Sequence, residues 1–158
     1  MFREMRRARQ QLSPKDCVRV LDSQVRGVLS VLGDDGYPYG MPLDFWRDPQ
    51  TGHICFHVAR RGHKIDALRA CDKASFCVYD EGYREEGEWP LHIQSVIVFG
   101  RVRFVEDAHR AEEICRALAS RFTDDAAYVD DEIARSFPAV QCLELVPEHM
   151  SGKLVKES

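Results

Sequence analysis

Two connectors constrain this chain more than anything else in it. "GDDG" (33–36) separates "VRGVLSVL" from "YPYGMPLDFW", and "RDPQTG" (47–52) separates the latter from "HICFHVA". Both are far shorter than the dozen or so residues a parallel crossover needs, so three successive strands must run antiparallel. Gly33 and Gly36 are expected to supply the turn conformations beside the Asp pair. "KASFCVY" (73–79), "QSVIVFGRVRFVED" (94–107) and "AVQCLELVP" (139–147) read as further strands. The fold expected is mainly β with short helices, a small six-stranded antiparallel β-barrel rather than a parallel α/β sheet.

The helices sit between the strands. Ser13 as N-cap and Pro14 at the first helical position open one over "SPKDCVRVLDS", with Val18 and Leu21 on one face. "DAHRAEEICRALASRF" (107–122) is amphipathic through Ala111, Ile114, Leu118 and Phe122. A third begins near Gly62, with Ile65, Leu68 and Cys71 at helical spacing. Its start is electrostatically odd, because Arg60, Arg61, His63 and Lys64 crowd the positive end of the helix dipole and no Ser, Thr, Asp or Asn caps it. A negative group belongs there.

Two irregularities mark the strands. Pro42 lies inside an otherwise good strand and removes a ladder hydrogen bond, which assigns that strand to an edge or to a ligand. In 94–107 both faces are apolar before Gly100, whereas Val102 and Phe104 alternate with Arg101 and Arg103 after it. The first half is expected to be covered on both sides, with a bend or bulge at Gly100. Residues 80–93 are acidic and aperiodic, a long loop becoming extended near Trp89.

Bulk properties exclude several classes. A net charge of -4 argues against a nucleic-acid binder, and the Arg-rich start "REMRRARQQ" reads as a solvated or frayed arm. No apolar run approaches a membrane span and no hydrophobic signal region follows the first arginines, so a cytoplasmic protein is expected. The cysteines at 17, 55, 71, 77, 115 and 142 form no CxxC and no zinc spacing; they read as buried thiols, and no metal is expected.

"GDDGYPYGMPLDFW", "ICFHVARRGHKIDALRA", "QSVIVFGRVRFVED" and "PEHMSGK" occur in the order found in the pyridoxamine 5'-phosphate oxidase-like FMN-binding split barrels, and the chain most resembles their 5-nitroimidazole resistance branch. The likeness runs over residues 13–153, leaving an arm at 1–12 and a tail at 154–158. It implies a split barrel and a homodimer with FMN at the subunit interface, the cover for each flavin coming from the partner, Trp89 or the C-terminal "SGK" being candidates. It implies that Met41, Pro42 and Leu43 lie along the flavin ring near Val58. The phosphate is then held around Arg61, His63 and Lys64 and by the strand start at Gln94, Ser95 and Val96, which supplies the anion missing at the third helix.

His57 is the candidate catalytic residue. Period two sends Ile54, Phe56 and Val58 to one face and His57 to the other, and the resemblance places a histidine at this position beside the flavin, where it could hydrogen-bond substrate or supply a proton. The remaining histidines show no ligand spacing with it. The sequence departs from the family pattern at Asp44, where a neutral residue is common and where a carboxylate opposes a reduced flavin unless it points away or pairs with an arginine. "RGHK" stands where "GRK" is common, and the C-terminal "RLxPxR"-like segment of the true oxidase is missing. The function expected is an FMN-dependent oxidoreductase passing electrons to a small nitroaromatic or related acceptor; the alternative is a non-catalytic flavin or haem binder.

Overall fold

The structure, a computed structural model, describes residues 1–157. One antiparallel sheet holds seven strands, β1 (Arg26–Leu32), β2 (Pro38–Asp44), β3 (Trp46–Arg47), β4 (Ile54–Ala59), β5 (Lys73–Tyr79), β6 (Leu91–Phe104) and β7 (Val140–Glu157), in the order β2-β1-β5-β6-β7-β4-β3. The count is seven rather than six because the run 37–46 breaks at Phe45, whose fully buried ring leaves Trp46–Arg47 as a separate short strand paired with β4. Pro42 does lie in an edge strand, paired only with β1, where the missing N–H costs the sheet no second ladder.

The sheet curls into a split half-barrel. Phe56 of β4 and Phe76 of β5 are separated by two strands in the sheet order, yet their rings meet edge-on at 5.0 Å, and Phe45 adds a second edge contact to Phe76 at 4.9 Å. Only curvature brings them together. Leu29, Val78, Val96, Val98, Leu143 and Leu145 complete the interior. Helix α1 (Pro14–Ser23) contributes Cys17, Val20 and Leu21 to it, and Ser13 accepts from Asp16 N as the expected cap.

The bulge at Gly100 is present. Phe99 pairs with His149 but Gly100 with Pro147, so Glu148 is the extra residue. A Cβ at Gly100 would lie 2.1 Å from the Val146 carbonyl oxygen, so only glycine permits this approach, and the bulge accommodates Pro147 inside a strand. Beyond it β7 continues through "PEHMSGK", so the closing strand runs to Glu157 and not to 147. Of the expected tail 154–158, residues 154–157 pair with β6, and Ser158 lies outside the described residues.

Three other expectations are corrected. Gly33 is extended at φ -84°, and the positive φ of the turn falls on Asp35 and Gly36. Val96 and Val98 point into the core, whereas the outer face is covered only in part within the chain: Ile97 and Phe99 remain partly exposed there, with Phe2 against Phe99. The arginines of the N-terminal arm are exposed, as expected of a solvated arm, but the arm is docked rather than frayed: Phe2 stacks on Phe99 and His149, and Leu12 N donates to Gly152 O. Helix α4 (Ala126–Ser136), joined to α3 (Ala108–Ala119), fills a stretch that no expected element covered.

Candidate functional site

Helix α2 (His63–Ala70) starts as its sequence suggests. Gly62 at the N-cap has φ 123°, a conformation closed to most other residues, and no side chain caps the helix. Of the basic cluster, Arg60 Nε donates to Pro138 O at 2.8 Å and is turned away toward the 3-10 turn before β7. His63 stacks on Tyr39 of β2 at 4.2 Å and its Nε2 lies 3.6 Å from Asp34 Oδ2. The same nitrogen would be 3.2 Å from a Cβ at Gly33, so the helix start is seated on the β1–β2 hairpin. Arg61 and the half-buried Lys64 have no ion-pair partner among the described residues.

The edge strand β2 runs from this helix start to His57. Tyr39 meets His63 at one end, and Pro42, Leu43 and Asp44 at the other line a groove of about 280 Å³ with Arg26 and His57. Tyr39 and Asp44 are five residues apart, roughly 17 Å of extended chain. An uncapped, cationic helix start and a groove beside an imidazole thus lie along one exposed sheet edge, whose outer backbone groups have no ladder partner among the described residues.

A second cavity, about 340 Å³, adjoins this groove. Asp44 and His57 belong to both, and Leu118, Phe122, Val129, Ile133 and Phe137 of the α3–α4 region give the second an apolar lining. The face of β4 opposite the barrel interior is covered at Cys55, which is fully buried beneath α3, and opens at His57 and Ala59. His57 sits at the mouth, open to solvent but in a concave setting. Burial holds its pKa below the usual histidine value, and the nearby Asp44 carboxylate opposes that shift. Asp44 itself accepts from Arg26 Nε at 2.7 Å, so its charge is matched by an arginine.

The expected site residues do not all converge. Pro42, Leu43 and His57 share the groove, with His63 and Lys64 at the far end of the same edge. Met41 and Val58 are buried in the barrel interior and offer their backbones rather than their side chains. Val96 is fully buried, in a strand paired on both sides. The Gln94 side chain is engaged by Arg19 and Asp80. Ser95 pairs with Tyr79, whereas the hairpin under His63 adjoins Val31, which pairs with Ala74. Five residues of β5, roughly 17 Å, separate the two positions. Within one chain the 94–96 strand start does not reach the α2 start.

Sequence reasoning missed the cavity wall on α4. Its signal was available: Asp125 as N-cap, accepting from Tyr128 N, ahead of Val129, Ile133 and Phe137 at successive spacings of four. Among the described residues one grouping of metal-ligand types also comes together, Glu85, Glu88 and His92, with ligand atoms within 4.8 Å of one another. Lys156 pairs with Glu88, and His92 stacks on Tyr83, so the grouping already has protein partners. No described helix is long and apolar enough to cross a membrane.

The sequence model of the family described as pyridoxamine 5'-phosphate oxidase matches residues 13–154. The chain belongs to that family. No curated protein matches the sequence at a significant level. Among solved structures, this pyridoxamine 5'-phosphate oxidase family member is similar to a candidate 5-nitroimidazole antibiotic resistance protein from Bacteroides thetaiotaomicron, at TM-score 0.75 and 15% identity over 91% of this chain and 86% of that one. It is also similar to an FAD-binding protein from Mesorhizobium loti, at 0.67 and 24% over 93% and 98%. An FAD and haem binding protein from Mycobacterium smegmatis matches at 0.72 and 20% over 94% and 74%. At these identities the structures establish a shared split-barrel fold.

Proposed function

We propose that this family member is a flavin-dependent oxidoreductase of the 5-nitroimidazole-resistance type, cytoplasmic, holding FMN along the β2 edge and passing electrons to a small acceptor such as a nitroaromatic. The observation that carries the reading is the groove of Arg26, Pro42, Leu43, Asp44 and His57, continuous along one sheet edge with the uncapped start of α2. The residues fit the group. Lys64, Arg61 and the free N–H groups of α2 suit a terminal phosphate, and Pro42 with Leu43 offers an apolar strip to a planar ring. The flavin supplies the electron-transfer chemistry.

The chain's own contribution is placement and charge. Arg26 offsets Asp44, so the groove does not present an unmatched carboxylate to an electron-rich ring. His57, held mainly neutral near pH 7 by its setting, can accept or relay a proton at its imidazole. A homodimer completes the site in this reading: the separation of Ser95 from the α2 start leaves the 94–96 segment to serve the flavin of a second copy, and the exposed Ile97 and Phe99 beside it offer apolar surface for the contact. The exposed Trp89 is a further candidate to cover the partner's ring.

A second reading has one supporting observation, the likeness to the FAD and haem binding protein. In it His57 would hold the haem iron and the protein would be a binder or sensor. An absorption spectrum of the purified, FMN-incubated protein separates the two. Flavin bands and release of FMN on heating support the oxidoreductase; a Soret band with no flavin, or recovery of FAD alone, rejects it.

A further inference from the structure

Cys115 of α3 and Cys142 of β7 are 27 residues apart in sequence, yet their sulfurs lie 3.6 Å apart. A disulfide needs the sulfurs at roughly 2.05 Å, so this pair is the sulfur contact from which one can form. The two thiols are unequal. Cys115 is partly exposed and lines the α3–α4 cavity, whereas Cys142 is buried and its Sγ also lies 3.4 Å from Ala111 O. Cys142 is the register partner of His57 across β4–β7, and directly opposed residues project to the same face of a sheet. The imidazole and the Cys142 thiol therefore project to the same face of the sheet, and His57 and Cys115 line the same cavity.

We infer that Cys115 and Cys142 form a reactive dithiol that reduces organic hydroperoxides entering the α3–α4 cavity. The Cys115 sulfur attacks the terminal peroxide oxygen and the O–O bond breaks. The departing alkoxide takes the thiol proton and leaves as an alcohol, giving a sulfenic acid on Cys115. The Cys142 sulfur then attacks the Cys115 sulfur, and the expelled hydroxide takes the Cys142 proton and leaves as water. Two thiols and one hydroperoxide thus give one disulfide, one alcohol and one water, and two equivalents of a small thiol restore the pair by exchange. The apolar lining by Leu118, Phe122, Val129, Ile133 and Phe137 selects a hydroperoxide with an apolar organic group. The division of roles also follows the electrostatics: the sulfur–sulfur contact lowers the Cys115 pKa, while that contact and burial keep Cys142 a thiol. No step passes through the flavin, so this inference stands or falls apart from the proposed function.

The experiment treats the folded full-length protein anaerobically with cumene hydroperoxide or hydrogen peroxide, blocks remaining thiols with a maleimide and maps peptides by mass spectrometry. The expected result is a Cys115–Cys142 linked peptide as the dominant product, reversed by dithiothreitol, with Cys17, Cys55, Cys71 and Cys77 unmodified. Cys142→Ser should leave Cys115 to proceed to the sulfinic acid, and Cys115→Ser should leave Cys142 unreacted. Ile133→Trp, which fills the cavity without touching either sulfur's chemistry, should slow the reaction with cumene hydroperoxide at least fivefold more than that with hydrogen peroxide. Mixed linkages, earlier oxidation at Cys71 or Cys77, a wild-type Cys115 that overoxidises with Cys142 free, thiols that react only after unfolding, or equal slowing of both peroxides in Ile133→Trp would overturn the inference. Linkage mapping on the wild type decides the pairing even if a serine variant fails to fold.

Discussion

Arg26 Nε donates to Asp44 Oδ1 at 2.7 Å directly across the β1–β2 ladder, on the wall of the groove that holds His57. The pair sets the field at the imidazole. Burial lowers the His57 pKa below 6.5 and Asp44 pulls it back. Asp44→Asn should therefore move the His57 titration to lower pH. Arg26→Gln, leaving the carboxylate without its cation, should move it to higher pH. Histidine C–H chemical shifts followed against pH measure both, and a midpoint that ignores both substitutions would show that Asp44 is not felt at His57. The linkage sign follows from the wild-type direction: the folded chain binds this proton less readily than the unfolded one, so the contribution of His57 to stability is present above pH 6.5 and lost as pH falls through the folded value.

Lys64 should act on the phosphate alone. It is half-buried at the uncapped start of α2 and has no ion-pair partner among the described residues. Lys64→Ala is expected to weaken FMN binding by about 1–3 kcal/mol, the scale of a charge-assisted hydrogen bond left unmade, with riboflavin affinity unchanged. Equal losses for FMN and riboflavin would place phosphate recognition elsewhere.

Ser95 and the α2 start mark the limit of what one chain displays. The hairpins, the edge position of Pro42, the bulge at Gly100 and the off-core face of His57 were legible because each follows from local period or from the chemistry of one residue. The reach of β7 was not, because "PEHMSGK" carries a proline and a bulge that break period two, and only pairing with β6 makes it strand. The apolar Ile97 and Phe99 predicted a covered face, yet sequence cannot say whether the cover belongs to the same chain. Pairing of Asp44 with an arginine was expected only as an alternative, and the hairpin register supplies Arg26 for it; the juxtaposition of Cys115 with Cys142 was invisible because no local pattern encodes it.

Gly100 should be intolerant of any side chain. A Cβ there meets the Val146 carbonyl at 2.1 Å and a Leu145 methyl at 3.1 Å. Gly100→Ala must open the β6–β7 bulge and is expected to destabilise by about 1–3 kcal/mol or more, as overpacked interiors do. Urea unfolding measures it, and an unchanged midpoint would mean that the strands separate at no cost.

Self-association should depend on Ile97. The residue is 38% exposed beside Phe99, so Ile97→Lys places a charge within the proposed contact while leaving the core untouched. Sedimentation velocity is expected to show a wild-type dimer that dissociates at lower dilution in the variant, with flavin occupancy falling in parallel. A wild-type monomer that retains full flavin occupancy would remove the shared site from the proposal.

His57 should tune turnover more than it holds the cofactor. It lies at the Asp44 end of β2, roughly 17 Å along the strand from the Tyr39–His63 contact, so it is remote from the phosphate end and adjoins both the groove and the apolar cavity. Nitro-group reduction consumes protons as well as electrons, and a neutral imidazole at the cavity mouth can relay them from water. His57→Ala is expected to keep FMN affinity within a few-fold while slowing nitroimidazole-driven flavin reoxidation by about tenfold or more, the lower range for losing a positioned acid–base group. Single-turnover reoxidation without oxygen, from pH 5 to 8, gives the measurement. Because the His57 pKa is depressed, the wild-type rate should change slope below pH 6.5, and the variant should lack that inflection. Superimposable profiles would leave His57 a structural residue of β4, and a wild-type flavin inert to nitroimidazoles would move the assignment to the binder or sensor.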